Sequence, residues 1–295
     1  MNNGIQGANR TSVCGSFPAS LFVALGSIGI YADPAPAQTA FSLPAPPFQL
    51  PLLPSPSGAW TVTVGVGGEY KPDYEGSKHS MLSPVPIFSI RRAGSTQQFC
   101  GANDASSIAL FQFGNLRAGP ALKFKSARKA DRHSELNGLG DVKATAEVGG
   151  FVEYYPVDWL RSRVEVRQGI GGHTGVVADF SADAVVPIDQ RLTISAGPRF
   201  TVESARAAIP YFGVSTAQAI ASGLPTFNPG GGMHSIGIGA QATYKIDPRW
   251  EVRSYIEYKK LLGDVAGSPL VTLRGSTDQT TFGIGVSYSF DIKIR

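Results

Sequence analysis

The stretch Thr281–Phe290 reads Thr-Phe-Gly-Ile-Gly-Val-Ser-Tyr-Ser-Phe. It alternates without error. Phe282, Ile284, Val286, Tyr288 and Phe290 share one face, and Thr281, Gly283, Gly285, Ser287 and Ser289 share the other. A period of two is the geometry of a β-strand. One apolar face against a face of small polar residues suits a barrel wall with lipid outside and water or packed polar groups inside.

The same design recurs upstream. Trp60, Val62, Val64, Val66 and Tyr70 oppose Thr61, Thr63, Gly65, Gly67 and Glu69. Similar alternation runs through Leu116–Lys125, Val142–Tyr154, Leu160–Ile170, Val176–Val186, Leu192–Val202, Ser235–Ile246 and Trp250–Lys259. Met81–Arg91, Thr96–Gly101 and Ser106–Phe113 alternate less cleanly. Counting all of these predicts an all-β, antiparallel up-and-down transmembrane barrel of about twelve strands, with ten as the alternative. With 16% charged residues and 35 glycines, the composition suits strands and tight turns better than a helical enzyme.

Connection lengths agree with the count. Pro156–Asp158, Pro187–Gln190 and Asp247–Arg249 are short turns on one side. Lys71–Ser80, Ser126–Asp141, Ala205–His234 and Gly263–Gln279 are long loops on the other. Trp60, Trp159 and Trp250 each begin an outward-running strand, which predicts an inner aromatic girdle at the membrane interface, beside Tyr154, Tyr244 and Tyr288.

The first residues read as an export signal, 1–37: Arg10, an apolar Phe17–Ala32, then Ala35-Pro36-Ala37 as a small-x-small cleavage site. Residues 38–58 are too proline-dense for helix or sheet and read as a periplasmic tether. The barrel is expected over 59–290, with a short tail over 291–295. No later stretch approaches the roughly 18 consecutive apolar residues of a membrane helix. Cys14 would leave with the signal, so Cys100 would stand alone, with neither an intramolecular disulfide nor a cysteine-based zinc site.

The inward faces carry charge. Nine acidic positions (Glu69, Glu147, Glu153, Glu165, Asp179, Asp183, Glu203, Glu251, Glu257) meet twelve basic ones, among them Arg161, Arg163, Arg167, Arg199 and Arg253. The excess of three positives predicts a salt-bridged lattice with a mild anion bias. A narrow channel or a plugged lumen fits a barrel of this size, and Ala205–His234 is long enough to fold inward as a constriction. The net charge of +4 is interleaved, which argues against nucleic acid.

Catalytic residues are not evident. His79, His133, His173 and His234 each directly precede a hydroxyl residue, and strand neighbours point to opposite faces. No Gly-x-Ser-x-Gly elbow occurs. Asp73, Glu75 and His79 share a loop, but turn chemistry at Pro72-Asp73 and Gly76 explains them better than a metal. No cofactor is expected.

Three motifs resemble the MipA/OmpV family (MltA-interacting protein-like) of outer-membrane proteins. They are Pro72-Asp73-Tyr74-Glu75-Gly76-Ser77, Tyr211-Phe212-Gly213-Val214-Ser215, and Ser268-Pro269-Leu270-Val271. The resemblance implies a barrel in the bacterial outer membrane, in contact with lipid and lipopolysaccharide and inserted by the barrel-assembly machinery. Gly285, Tyr288 and Phe290 are similar to the insertion signal of such barrels. It also implies a non-enzymatic scaffold between a lytic murein transglycosylase and a murein synthase. A narrow anion-preferring channel and an adhesin acting through the outer loops are the alternatives.

Overall fold

A computed structural model describes residues 12–14, 58–95 and 98–294. The apolar segment and cleavage site expected near the N-terminus, and the proline-rich tether up to residue 57, lie outside the described residues. The chain's wall is strand: β1 (Ser12–Cys14), β2 (Gly58–Pro72), β3 (Ser80–Arg92), β4 (Ser106–Ile108), β5 (Phe111–Phe113) and β6 (Leu116–Lys125). There follow β7 (Thr145–Val157), β8 (Leu160–Gly171), β9 (Val176–Pro187), β10 (Leu192–Glu203), β11 (Gly232–Lys245), β12 (Trp250–Leu261) and β13 (Asp278–Ile294). All pairings are antiparallel. β4 and β5 lie on the same edge of β6 and form one interrupted strand, so the sheet has twelve wall positions. No described helix is long and apolar enough to cross a membrane.

The alternation does what it predicts. Val66, Val166, Ile170, Ile238 and Ile284 are each about half exposed or more, whereas the residues between them on the other face line the lumen. β13 closes onto β2 with Gly285 opposite Gly67 and Ser287 opposite Gly65. These small residues let the two backbones meet: a Cβ on Gly67 would lie 2.6 Å from the Ile284 carbonyl oxygen. β13 also runs past Phe290, pairing Asp291–Ile294 with Gly58–Thr61, and Thr61 Oγ1 donates to Asp291 Oδ1 at 2.6 Å.

Two expectations change. Val142 is not the first residue of β7 but forms an isolated bridge with Arg128 in the loop before it. Thr96–Gly101, expected as a wall strand of its own, is coil in its described part, and residues 98–103 lie inside the barrel. Because the chain crosses the lumen there, β3 and β4 run in the same direction and cannot be antiparallel neighbours. Ser12–Cys14 sits between them instead, pairing with Ile90–Arg91 and Ser107–Ile108.

That insertion covers only the inner end of the seam. Among the described residues, β3 from Ser80 to Ser89 has a partner on one edge alone, β2. Pro84 and Pro86 stand in this stretch, in unbroken register with Gly68 and Val66. Proline cannot donate to a ladder, so both nitrogens must face the free edge, where proline is tolerated.

A Gly67→Val substitution is expected to block closure of β13 onto β2. The overpacking alone costs about 1–3 kcal/mol. Loss of the species whose gel mobility changes on boiling is the measurement that checks it.

Candidate functional site: a lidded, charge-filled lumen

β8 supplies the centre of the lumen because Arg161, Arg163, Glu165 and Arg167 fall on alternate positions and so share its inward face. Register then chooses their partners. Arg161 lies opposite Asp183 on β9 and Arg163 opposite Glu153 on β7. Arg161 reaches Glu153 at 2.6 Å, Asp183 at 3.1 Å and Asp104 at 2.5 Å. Arg163 holds Glu165 at 2.7 Å and Glu153 at 3.3 Å, and lies 4.0 Å over the Phe151 ring. Arg167 holds Glu147 at 3.0 Å and Asp179 at 2.6 Å, and also bonds Glu165. All three guanidinium groups are almost wholly buried. Buried charges on this scale persist only when each is paired, and here each is.

Around this centre the other expected lumen charges are more open. Arg199 bonds Asp183 at 2.6 Å and approaches Glu257 at 3.9 Å. Arg253 bonds Glu251 at 3.1 Å. The lattice is therefore densest on the β7–β9 side and thins toward β12.

The lumen is crossed by Gln98–Ala105. Asp104 carries the ion pair to Arg161, the Ala105 N–H donates to Glu165 Oε1 at 3.1 Å, and the Phe99 ring lies 5.2 Å from the Arg161 guanidinium. Gln241 donates to the Cys100 carbonyl at 3.2 Å, Lys123 donates to that of Asn103 at 3.1 Å, and the Asn103 amide bonds Glu257. The segment is thus tied to β6, β8, β11 and β12. Cys100 is disulfide-bonded, which corrects the expectation that it stands alone without an intramolecular disulfide.

The long loops form a lid over the outer mouth. Between β10 and β11 the chain folds into α1 (Ala205–Phe212) and α2 (Thr216–Ser222), and between β12 and β13 into α3 (Gly263–Gly267) and α4 (Pro269–Arg274). Ala205–His234 therefore closes the mouth as helices instead of threading inward as a constriction, which is the role Gln98–Ala105 takes. The apolar faces of α1 and α4 need cover at the mouth: Val142, Leu261 and Val265 pack with Tyr211, Phe212 and Val271, and the loop residues Tyr74, Leu136, Leu139 and Val214 pack with Leu270.

The three family-like motifs meet in this lid. Gly76 takes φ 91°, and a Cβ there would lie 2.9 Å from Val271 Cγ2. The Gly76 N–H donates to Gln279 Oε1 at 3.1 Å. Ser268, fully buried, donates to the Phe212 carbonyl at 2.7 Å and accepts from the Leu270 N–H. Ser215 caps α2 in a capping box with Gln218. Gly213 ends α1, and Pro269 starts α4 where its missing N–H is harmless. Pro72 ends β2, and the Ser77 hydroxyl donates to the His79 carbonyl at 3.0 Å.

Glu75 joins lid to wall. Its carboxylate meets Lys125 at 3.2 Å, Lys259 at 3.0 Å and His234 at 3.3 Å. Burial works to raise its pKa, yet Lys125, Lys259 and His234 together hold the carboxyl well below the usual range. Below it lies a charged chamber of about 140 Å³. The remaining histidines also face carboxylates: His79 with Glu135, His133 with Asp73 and His173 with Glu147.

The girdle residues divide. Trp159 and Trp250 are half exposed at the inner end, and Trp250 packs on Tyr288 with ring centroids 4.9 Å apart. Trp60 is buried, with the Arg92 guanidinium 5.0 Å from its ring. Phe290 follows Tyr288 in a stacked pair, and Gly285 lies on the opposite, lumen face.

A family model described as MltA-interacting protein MipA matches residues 64–290. The chain belongs to the MipA family. That membership places it among outer-membrane β-barrel proteins of Gram-negative bacteria. Its fold is similar to the COG4313 outer membrane channel from Pseudomonas putida F1, at 11% identity and TM-score 0.40, covering 84% of this chain and 100% of that one. It is also similar to the NanC porin, at 11% identity and TM-score 0.39, covering 76% and 98%. OmpT of Vibrio cholerae is similar at 10% identity and TM-score 0.34, covering 81% and 99%. A search of curated protein sequences gives no match.

Asp104, Phe99, Arg128 and Gln279 were not singled out by the sequence reading. Arg128 bonds the Tyr211 carbonyl, and Gln279 bridges Gly76, Ser77 and Ser276. All four act on residues far away in the chain, so no local pattern marks them.

Arg161→Ala leaves Glu153, Asp183 and Asp104 with one fewer cation and is expected to destabilise by about 3–5 kcal/mol. Arg199→Ala, at a more open site, is expected to cost about 1 kcal/mol or less. Denaturant unfolding of the refolded barrels compares them. Glu75 has a depressed carboxyl pKa in the fold, so its tie is fully present above the unfolded value of about 4.3 and is lost as pH falls through the lowered value. Limited proteolysis of the outer loops should show lid release at acidic pH, and Glu75→Gln should show it at neutral pH.

Proposed function

We propose that this protein is a plugged, non-enzymatic outer-membrane barrel that serves as a docking platform for murein-synthesising and murein-hydrolysing enzymes. The observation that carries the reading is the filled lumen: a helical lid above, and Gln98–Ala105 clamped to Arg161 and Glu165 below. A wall so obstructed favours a structural role over steady conduction. The family description, MltA-interacting protein, supports a periplasmic partner.

The inner turns are suited to such contact. Two of them repeat the pattern Ile-Asp-x-Arg, at Ile188–Arg191 and Ile246–Arg249. In the first, Asp189 Oδ1 accepts from the Arg191 N–H at 2.6 Å and the Leu192 N–H at 2.7 Å. In the second, Asp247 Oδ1 accepts from the Arg249 N–H at 2.7 Å and the Trp250 N–H at 2.9 Å. These self-bonded turns are rigid, and each presents an exposed arginine at the periplasmic rim.

Affinity capture from detergent-solubilised envelopes is expected to recover a murein hydrolase or synthase, and Arg191→Glu with Arg249→Glu to reduce that recovery. Capture of neither enzyme class by the intact barrel would sink the platform reading. Planar-bilayer recordings of the intact barrel should be silent. Deletion of Gln98–Asn103 should raise conductance; steady anion-selective current from the intact protein would favour the channel instead.

A further inference from the structure

The side of the lumen away from the arginine lattice holds an elongated trench of about 130 Å³. Its floor is a row of small residues. Arg253, Gly285, Gly67 and Val85 stand side by side across β12, β13, β2 and β3, and Glu251, Ser287, Gly65 and Ile87 form the next row. The glycines make the space: a Cβ on Gly285 would lie 2.7 Å from Ile87 Cδ1. Between the Glu69 row and the Thr63 row the trench runs six residues, about 20 Å at strand rise. The backbone of Gln98–Ala102 roofs it.

Its charges are unequal. Glu69 is paired with Lys71 at 2.8 Å and accepts from Tyr255, Asp104 is paired with Arg161, and Glu251 with Arg253. That leaves Arg91 at the inner end. Its Nε is buried without a hydrogen-bond partner, and no described carboxylate forms an ion pair with it; the Arg253 Nε is likewise buried and unpartnered. A guanidinium in that condition favours an anionic group, preferably a planar carboxylate or a phosphate.

The third element is the seam. Val85 and Ile87, which line the trench, belong to the part of β3 whose far edge carries no strand among the described residues and whose Pro84 and Pro86 remove two donors from it. An open edge in hydrocarbon leaves backbone groups unsatisfied and the wall incomplete. It also places an apolar-walled trench beside the acyl layer.

We propose that the trench binds a fatty-acid-class amphiphile taken from the membrane, its carboxylate on Arg91 at the inner end and its alkyl chain running outward along Ile87, Val85, Gly67 and Gly285. A chain with no head group would leave Arg91 without an anionic partner. A small carboxylate with no chain would leave the apolar length of the trench empty.

Decanoate, decanol and acetate, each added to the folded barrel in nonionic micelles, separate these cases. The readout is the temperature at which the boiling-dependent gel shift is lost. Decanoate is expected to raise it saturably, with decanol and acetate having little effect. Arg91→Gln is expected to weaken the decanoate response about tenfold, as loss of one charge-assisted contact implies. Ile87→Trp, which fills the trench, should abolish it. An equal response to decanol would mean non-specific partition, and an equal response to acetate a headgroup-sized anion site. Either result, or no response to decanoate, would overturn the proposal. The ligand comparison uses the unaltered protein, so it decides the matter even if a variant fails to fold.

Discussion

Hydrocarbon offers no partner to a backbone N–H or C=O, and from that constraint the rest of this structure follows. Each strand must find a neighbour on both edges, so the sheet curls until β13 meets β2. Lipid requires an apolar outer face, and the pleat then turns every second residue inward. With twelve wall positions the interior is too wide for strand side chains to fill uniformly and too narrow to hold bulk water throughout. Charged residues on the inward face must therefore satisfy one another, as Arg161, Arg163 and Arg167 do with six carboxylates around them.

The one place where the constraint is relaxed is the seam beside β3. There the chain leaves the wall and uses Gln98–Ala105 to complete the lattice, giving Asp104 to Arg161 and the Ala105 N–H to Glu165. The lattice gains a carboxylate and a donor, and the wall loses a strand. Ser12–Cys14 restores three residues of it, and prolines reduce the exposed donors above. Plug and seam are thus two consequences of one chain path, which links the obstruction of the lumen to the opening in its side.

The lid depends on the same wall. Its helices are short, and what holds them is the burial of Tyr211, Phe212 and Val271 against one another and against Leu261 at the end of β12, with Leu270 buried among Tyr74, Leu136 and Val214. Glu75 fastens this apolar cap to Lys125 and Lys259 on two separate strands. The motifs that resemble the family are therefore chiefly lid residues. Their recurrence in one sequence reflects a packing problem at the outer mouth, solved by a glycine at φ 91°, a buried serine cap and a helix-starting proline.

Period-two alternation is a local property, and so the antiparallel barrel, the lipid face and the lumen charge could be read from the chain alone, whereas one of the twelve wall positions is filled by Ser12–Cys14 and not by the expected Thr96–Gly101. Loop length told which end was which. The family likeness lay in motifs contiguous along the chain. What the alternation could not decide was whether a stretch with weak pattern lies in the wall. Thr96–Gly101 alternates about as well as Ser106–Phe113, yet Ser106–Phe113 pairs with β6 while the described part of the other is drawn inward by Arg161 and Gln241, residues contributed by strands elsewhere. The choice between wall and plug rests on where opposite charges and carbonyls stand in space. Periodicity encodes which face a residue takes, and only the closed barrel determines what that face meets.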